Sequence, residues 1–182
     1  MQSQATIRRE TAADIEAIAD LTAAAFRTVA VSNQTEPFII EALRGADALA
    51  LSLVAEIEGN VVGHVAFSPV TISDGTRDWY GLGPVSVLPE YQRQGIGGAL
   101  IRKGLSMLRG LGGQGCCLVG DPNYYRRFGF RTIPALVHEG VPPEVFLTLP
   151  LGEFVPAGVV TFHEGSRATG CDEAEGDADN CG

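Results

Sequence analysis

Ile15, Ile18, Ala19, Thr22, Ala25 and Phe26 recur at helical spacing and predict a helix over about 12–28 with one apolar face. Thr11 stands where a side chain can cap that helix, and Asp14 sits three residues on, near its positive end. A second helix is expected around Pro37 to Arg44. Leu49 to Ile57 and Val61 to Val70 read as strands joined by the turn Glu58-Gly59-Asn60. Arg77 to Val87 is the next strand. A helix from about Gly95 to Leu111 follows, with Ile96, Ala99, Leu100, Met107, Leu108 and Leu111 as its expected buried stripe. Cys116 to Val119 is a short apolar strand, and Pro122 to Phe128 a short helix closed by Gly129. Strands near Val145 to Leu149 and Gly158 to Phe162 complete the pattern, with a short first strand at Ile7-Arg8-Arg9. The order β-α-α-β-β-β-α-β-α-β-β predicts an α/β (mixed α+β) fold, a mixed sheet flanked by helices.

At 182 residues and 45% hydrophobic, the chain suits one domain with a substantial core, expected over 1–164. The remainder, 165–182, is expected to be an acidic, disordered tail: five acids against Arg167 give it a net charge of −4. The whole chain carries −9, which argues against a nucleic-acid partner, since a duplex binder presents a basic face. No apolar run approaches the ~20 residues of a membrane helix, and the N-terminus lacks a signal-peptide core. A cytoplasmic protein with no membrane partner is the expectation. The four cysteines form no CxxC pair and the three histidines are scattered, so no metal site is expected. Cys116 and Cys117 read as plain strand residues. Cys171 and Cys181 fall in the tail and receive no role.

The stretch VLPEYQRQGIGGA, 87–99, changes the picture. It places a glycine-rich turn between a strand and a helix start, where unpartnered amides and the helix dipole favour an anion. Gly95, Gly97 and Gly98 permit close approach of a ligand, and Gln92, Arg93 and Gln94 offer side-chain donors. The dinucleotide pattern GxGxxG fails at Leu100, and the Walker pattern fails for want of GK[ST]. Gln92-Arg93-Gln94-Gly95-Ile96-Gly97 fits (Q/R)-x-x-G-x-(G/A) at every position. This turn resembles the acyl-CoA-binding turn of the GNAT (Gcn5-related) N-acetyltransferases. The preceding GLGPVSV carries Gly81, Gly83 and Pro84, poor strand-interior residues that predict a bulge or an opened edge. GHVAFSPV, GDPNYYRRFGF and the late Val160-Thr-Phe-His-Glu164 extend the similarity, over roughly 5–165, to the YhbS-like subgroup of that family.

The resemblance implies a twisted, mostly antiparallel sheet with splayed central strands, and acetyl-CoA as cosubstrate of an N-acetyltransferase acting by direct transfer. It implies a cofactor site at Val85, Ser86, Val87, Gln92, Arg93, Gln94, Gly95, Ile96, Gly97, Gly98, Ala99 and Tyr124. Tyr125, four residues before Gly129-Phe130, takes the place of the general acid. A phenol, titrating near 10, keeps its proton beside a thiol that titrates near 8.5. Glu36 is the candidate base, with His64 read as a structural histidine and Arg93, Arg102 and Arg127 as a modest basic patch in which Arg102 reads as an exposed helix arginine. The acceptor is a small-molecule or protein amine, shaped by loops at about 28–46 and 134–158. Dimers are common in the family, so a homodimer is the guess. The rival is a non-catalytic acyl-CoA-binding sensor or assembly module, since one fold hosts many functions; an intact Tyr125 speaks for the enzyme.

Overall fold

The computed structural model describes residues 4–30 and 32–168. The tail from 169 on, with Cys171 and Cys181, lies outside the described residues. Eight strands run as β1 (Thr6–Arg9), β2 (Leu51–Ile57), β3 (Asn60–Ile72), β4 (Trp79–Val87), β5 (Gly115–Val119), β6 (Leu136–Val137), β7 (Phe146–Pro150) and β8 (Gly158–Phe162). The helices are α1 (Ile15–Phe26), α2 (Glu36–Gly45), α3 (Ile96–Gly110) and the single turn α4 (Pro122–Tyr125). The sheet order is β1-β2-β3-β4-β5-β7, antiparallel except for β4 beside β5. β2 begins at Leu51 opposite Phe67, and β8 pairs with the remaining end of β3 from Val70 to Ile72. β8 also holds β6, a two-residue strand that the hydrophobic pattern does not predict.

Helices cover both faces of the sheet, and this explains why β2 is buried at five consecutive positions instead of alternating. On one face α3 lays Ile96, Leu100, Ile101, Leu105 and Leu108 against Leu53, Val65 and Phe67. Gly104 leaves the notch that the Phe67 ring fills, where a Cβ has no room. The stripe differs from the sequence expectation. Ala99 and Leu111 face solvent, while Ile101, Gly104 and Leu105 are buried. Leu111 lies past the helix end, where the helical period no longer applies.

On the opposite face Ile18 of α1 and Ile40 of α2 pack on Val54. The first helix is shorter than expected, because residues 12–14 form a 3-10 turn. The Thr11 hydroxyl donates to the Asp14 carboxylate, which also accepts from the Thr11 amide. Arg8 clamps that carboxylate with two nitrogens at 2.7 and 3.0 Å and reaches Glu56 at 2.8 Å, tying β1, β2 and α1 together. The first residues of the expected tail fold back: Glu164–Arg167 form a 3-10 turn, with Gly165 against Leu43 of α2 and Ala168 buried.

His64 lies under α1 and α2, fully buried. Ser52 donates its hydroxyl to Glu10 and lies 2.7 Å from His64 Nε2, so Nε2 carries the proton and Ser52 accepts it. Nδ1 is buried without a partner. Burial lowers the imidazole to about 4, with Glu10 opposing and Arg44 assisting. Between its unfolded value near 6.5 and the folded value, the unfolded chain binds the extra proton. Stability should therefore fall as pH drops from about 6.5 to 4, by on the order of 3 kcal/mol, and show no further loss from this group below that. Urea unfolding across that window checks this against His64→Gln, which keeps a donor to Ser52 and does not titrate. Parallel curves for the two proteins would refute it.

Candidate active site

The turn between β4 and α3 builds an anion cradle from backbone. Arg93 (φ 62°) and Gly95 (φ 83°) adopt left-handed conformations that swing the chain into the helix. No side chain caps α3, and the first amide to bond back is that of Ala99, to the Gly95 carbonyl at 3.0 Å. The amides of Ile96, Gly97 and Gly98 thus face outward at the positive end of the helix. They border a cavity of about 490 Å³, also lined by Val85, Val87, Tyr124 and Tyr125. Among the described residues its ionised side chains are Arg93, Arg102 and Arg127, and no carboxylate lines it. Arg102 was expected to be an exposed helix arginine. It is exposed on α3, and its guanidinium stacks 5.0 Å over the Phe128 ring, beside the cradle. Arg127 stacks 4.6 Å over Tyr124 and donates to its carbonyl at 2.9 Å. An acidic chain therefore carries a local cationic pocket.

β4 opens as the glycines and proline predict. Val65 pairs with Val85 and Phe67 with Leu82, so Ala66 alone faces Gly83 and Pro84, a bulge. Pairing with β5 covers only Trp79 to Gly81, and beyond it the two strands part. The Leu88 amide bonds the Val62 carbonyl at 2.9 Å. In the antiparallel ladder this register turns Ser86 toward β3 and the backbone groups of Val85 and Val87 toward the opened cleft.

The expected cofactor residues divide accordingly. Val85, Val87, Arg93, Gly95, Ile96, Gly97, Gly98 and Tyr124 converge on the cavity, with Gln92 beside them. Gln92 donates its side-chain amide to the Val87 carbonyl at 3.0 Å, so it shapes the turn. Gln94 donates to the Glu90 carbonyl at 3.2 Å and lies outside the lining. Ala99 also lies outside it, its amide taken by the helix. The Ser86 side chain is buried on the far face, 3.4 Å from the Thr22 hydroxyl. Tyr91 joins the cavity without having been singled out, although it stands next to the turn in sequence.

Tyr125 is positioned by packing alone. Its ring meets Tyr124 edge-on at 4.9 Å and Phe130 at 6.1 Å, and Gly120 leaves the space beside it. Among the described residues its hydroxyl has no hydrogen-bond partner, and burial pushes the phenol up to about 12, with Tyr124 adding to the rise. Cys116 and Cys117 are buried, and burial raises both thiols, so neither is a thiolate at neutral pH.

A second cavity, about 540 Å³, begins where the first ends along β4. Leu82, Gly83 and Pro84 of the bulge line it, with Val119 of β5, Ile39 of α2 and His138. Glu36 lines neither cavity. One of its oxygens accepts from Ser32 at 2.6 Å and the other is buried without a partner. Among the described residues no cluster of His, Cys, Asp or Glu could hold a metal ion, and no helix is long and apolar enough to cross a membrane.

The sequence profile of the acetyltransferase (GNAT) domain matches residues 49–132. A GNAT family acetyltransferase of Brucella melitensis, crystallised with acetyl-CoA, is 51% identical. That alignment covers 90% of this chain and 99% of that one, with a TM-score of 0.80. Escherichia coli YhbS, solved with CoA, superposes with a TM-score of 0.83 at 30% identity, covering 92% and 94% of the two chains. By sequence, YhbS of E. coli K12, known as an uncharacterized N-acetyltransferase, is 38% identical over 99 residues. The match takes in 54% of this chain and 59% of that protein, so it spans little more than half the relative's length. The similarly described YjhQ is 43% identical over 96 residues, 51% of each protein.

Proposed function

The chain belongs to the GNAT acetyltransferase family, and from that premise we propose that it transfers an acetyl group from acetyl-CoA directly to an amine. The observation that carries this reading is the first cavity: an uncapped helix start, three arginines and no carboxylate, beside an opened strand edge. A diphosphate would lie on the amides of Ile96, Gly97 and Gly98, with Arg93, Arg102 and Arg127 around it. The pantetheine arm would run along the backbone groups of Val85 and Val87. This brings the thioester to the bulge, where the second cavity opens. An amine entering by that cavity would meet the carbonyl carbon from the side opposite the nucleotide, so much of the rate gain is positional. The Val85 amide, the nearer of the two to the bulge, faces the same cleft and is the candidate donor to the oxyanion. Tyr125 would hydrogen-bond the departing sulfur. With the phenol near 12, it holds its proton at every physiological pH and is always a donor. The protein would act in the cytoplasm on a small-molecule or protein amine, and a homodimer is the proposed assembly.

Thiol release tests the reading. The protein is mixed with acetyl-CoA and n-butylamine, glycine, L-lysine, spermidine or a lysine-containing peptide, and free CoA thiol is followed. Amine-dependent release above the protein-free rate is the expected result. Saturable CoA binding with no amine-dependent release across the panel would favour a binding module. Absence of CoA binding would remove both.

A further inference from the structure

The amine that attacks a thioester must lose a proton, and the first cavity offers no base: its ionised side chains are arginines. The second cavity contains His138, on the residue that follows β6. Its Nδ1 lies 2.9 Å from the Val160 carbonyl oxygen. A carbonyl only accepts, so Nδ1 holds the proton and Nε2 keeps the free lone pair of the neutral ring. The ring is braced by Phe162, edge-on at 4.9 Å, and by Phe146 at 5.6 Å. Tautomer and orientation are thus both fixed, as a proton acceptor requires. Among the described residues Nε2 has no hydrogen-bond partner, and unlike His64 Nδ1 it is not a buried orphan.

The geometry points to His138 Nε2 as the group that takes the proton from the acceptor amine in the cavity beside the β4 bulge. This rests on the acetyl-transfer reading above and supplies the base that Glu36, outside both cavities, does not. The amine nitrogen forms a bond to the carbonyl carbon and the C–S bond breaks. Nε2 takes the proton shed by nitrogen, while the sulfur leaves hydrogen-bonded to Tyr125 and gains a proton from solvent. The imidazolium then returns its proton to solvent, so the sum is amine plus thioester giving amide plus thiol. Among the described residues the other charged groups facing this space are Glu139, next in sequence, and Arg167 of the C-terminal turn. α2, β3, β4 and β5 contribute the uncharged Ile39, Ser68, Leu82 and Val119.

His138→Asn separates catalysis from folding, because an asparagine amide can still donate to the Val160 carbonyl but carries no basic nitrogen. With the amine panel above, kcat should fall by about 100-fold, CoA affinity should be unchanged, and the acid limb of the pH–rate profile should disappear. Glu139→Gln should keep the acid limb, whatever it does to amine affinity. Added imidazole should restore part of the rate in His138→Gly. Nitrogen-15 NMR of the wild-type ring supplies a readout independent of turnover, with the proton expected on Nδ1. Wild-type turnover with an unaltered His138→Asn profile, or a ring protonated at Nε2 when neutral, overturns the proposal. A wild-type protein that binds CoA and releases no thiol overturns the transferase reading itself.

Discussion

Tyr125→Phe should lower kcat on the order of 1000-fold and leave CoA binding and thermal stability close to wild type. The three outcomes belong together because of how the ring is held. Tyr124, Phe128 and Phe130 contact its aromatic body, and the hydroxyl has no protein partner among the described residues. Phenylalanine keeps every ring contact and breaks no hydrogen bond within the fold. What disappears is an uncharged donor that lines the first cavity. An arginine there would also bind a thiolate, but it would hold it equally well after reaction and slow its release. A neutral phenol, kept protonated by burial, favours the sulfur most while negative charge is developing. Stopped-flow thiol release with calorimetric CoA titration decides the matter. A variant that turns over at the wild-type rate would leave Tyr125 as a wall of the cleft and nothing more.

The half of this site proposed for the cofactor was legible in the sequence because its chemistry is backbone chemistry. Exposed amides at a helix start require glycines at fixed offsets, and a strand that parts from its neighbour tolerates Gly81, Gly83 and Pro84. Both constraints act within a few residues, so a local reading catches them. Side chains in the same stretch are less evenly placed. Ser86 and Ala99 sit inside the motif, but strand register turns one away and helix bonding occupies the amide of the other. The half proposed for the acceptor left no local signal. Ile39, Ser68, Val119 and Phe162 come from four elements and His138 from the loop after β6, and only the fold brings them together. β6 is two residues long, too short for any period, and it is the pairing with β8 that holds it beside His138. The stacking of Arg102 left no local signal for a related reason: its direction is set by the Phe128 ring, which belongs to another element.

Gly97→Asp should separate ligand binding from folding in opposite directions. Gly97 is the second residue of α3, and a Cβ there would meet the Tyr124 hydroxyl at 3.5 Å and Val87 at 3.7 Å, ordinary contacts. Nothing need move to admit the Cβ. A carboxylate in the first turn interacts favourably with the helix dipole and the nearby arginines, so thermal stability should hold or rise, by up to about 1 kcal/mol. The same carboxylate occupies the place proposed for the diphosphate, and it adds negative charge where a negatively charged ligand must sit. CoA affinity should fall by at least about 100-fold, since two charge-assisted contacts at 1.5–3 kcal/mol each would be lost. Gly97→Ala, which adds bulk without charge, should lose far less. Calorimetric titration of CoA against both variants, with melting curves for each, makes the comparison. If Gly97→Asp binds CoA like the wild type, the diphosphate does not rest on these amides. The direct-transfer geometry, the role of Tyr125 and the base at His138 would all lose their common anchor.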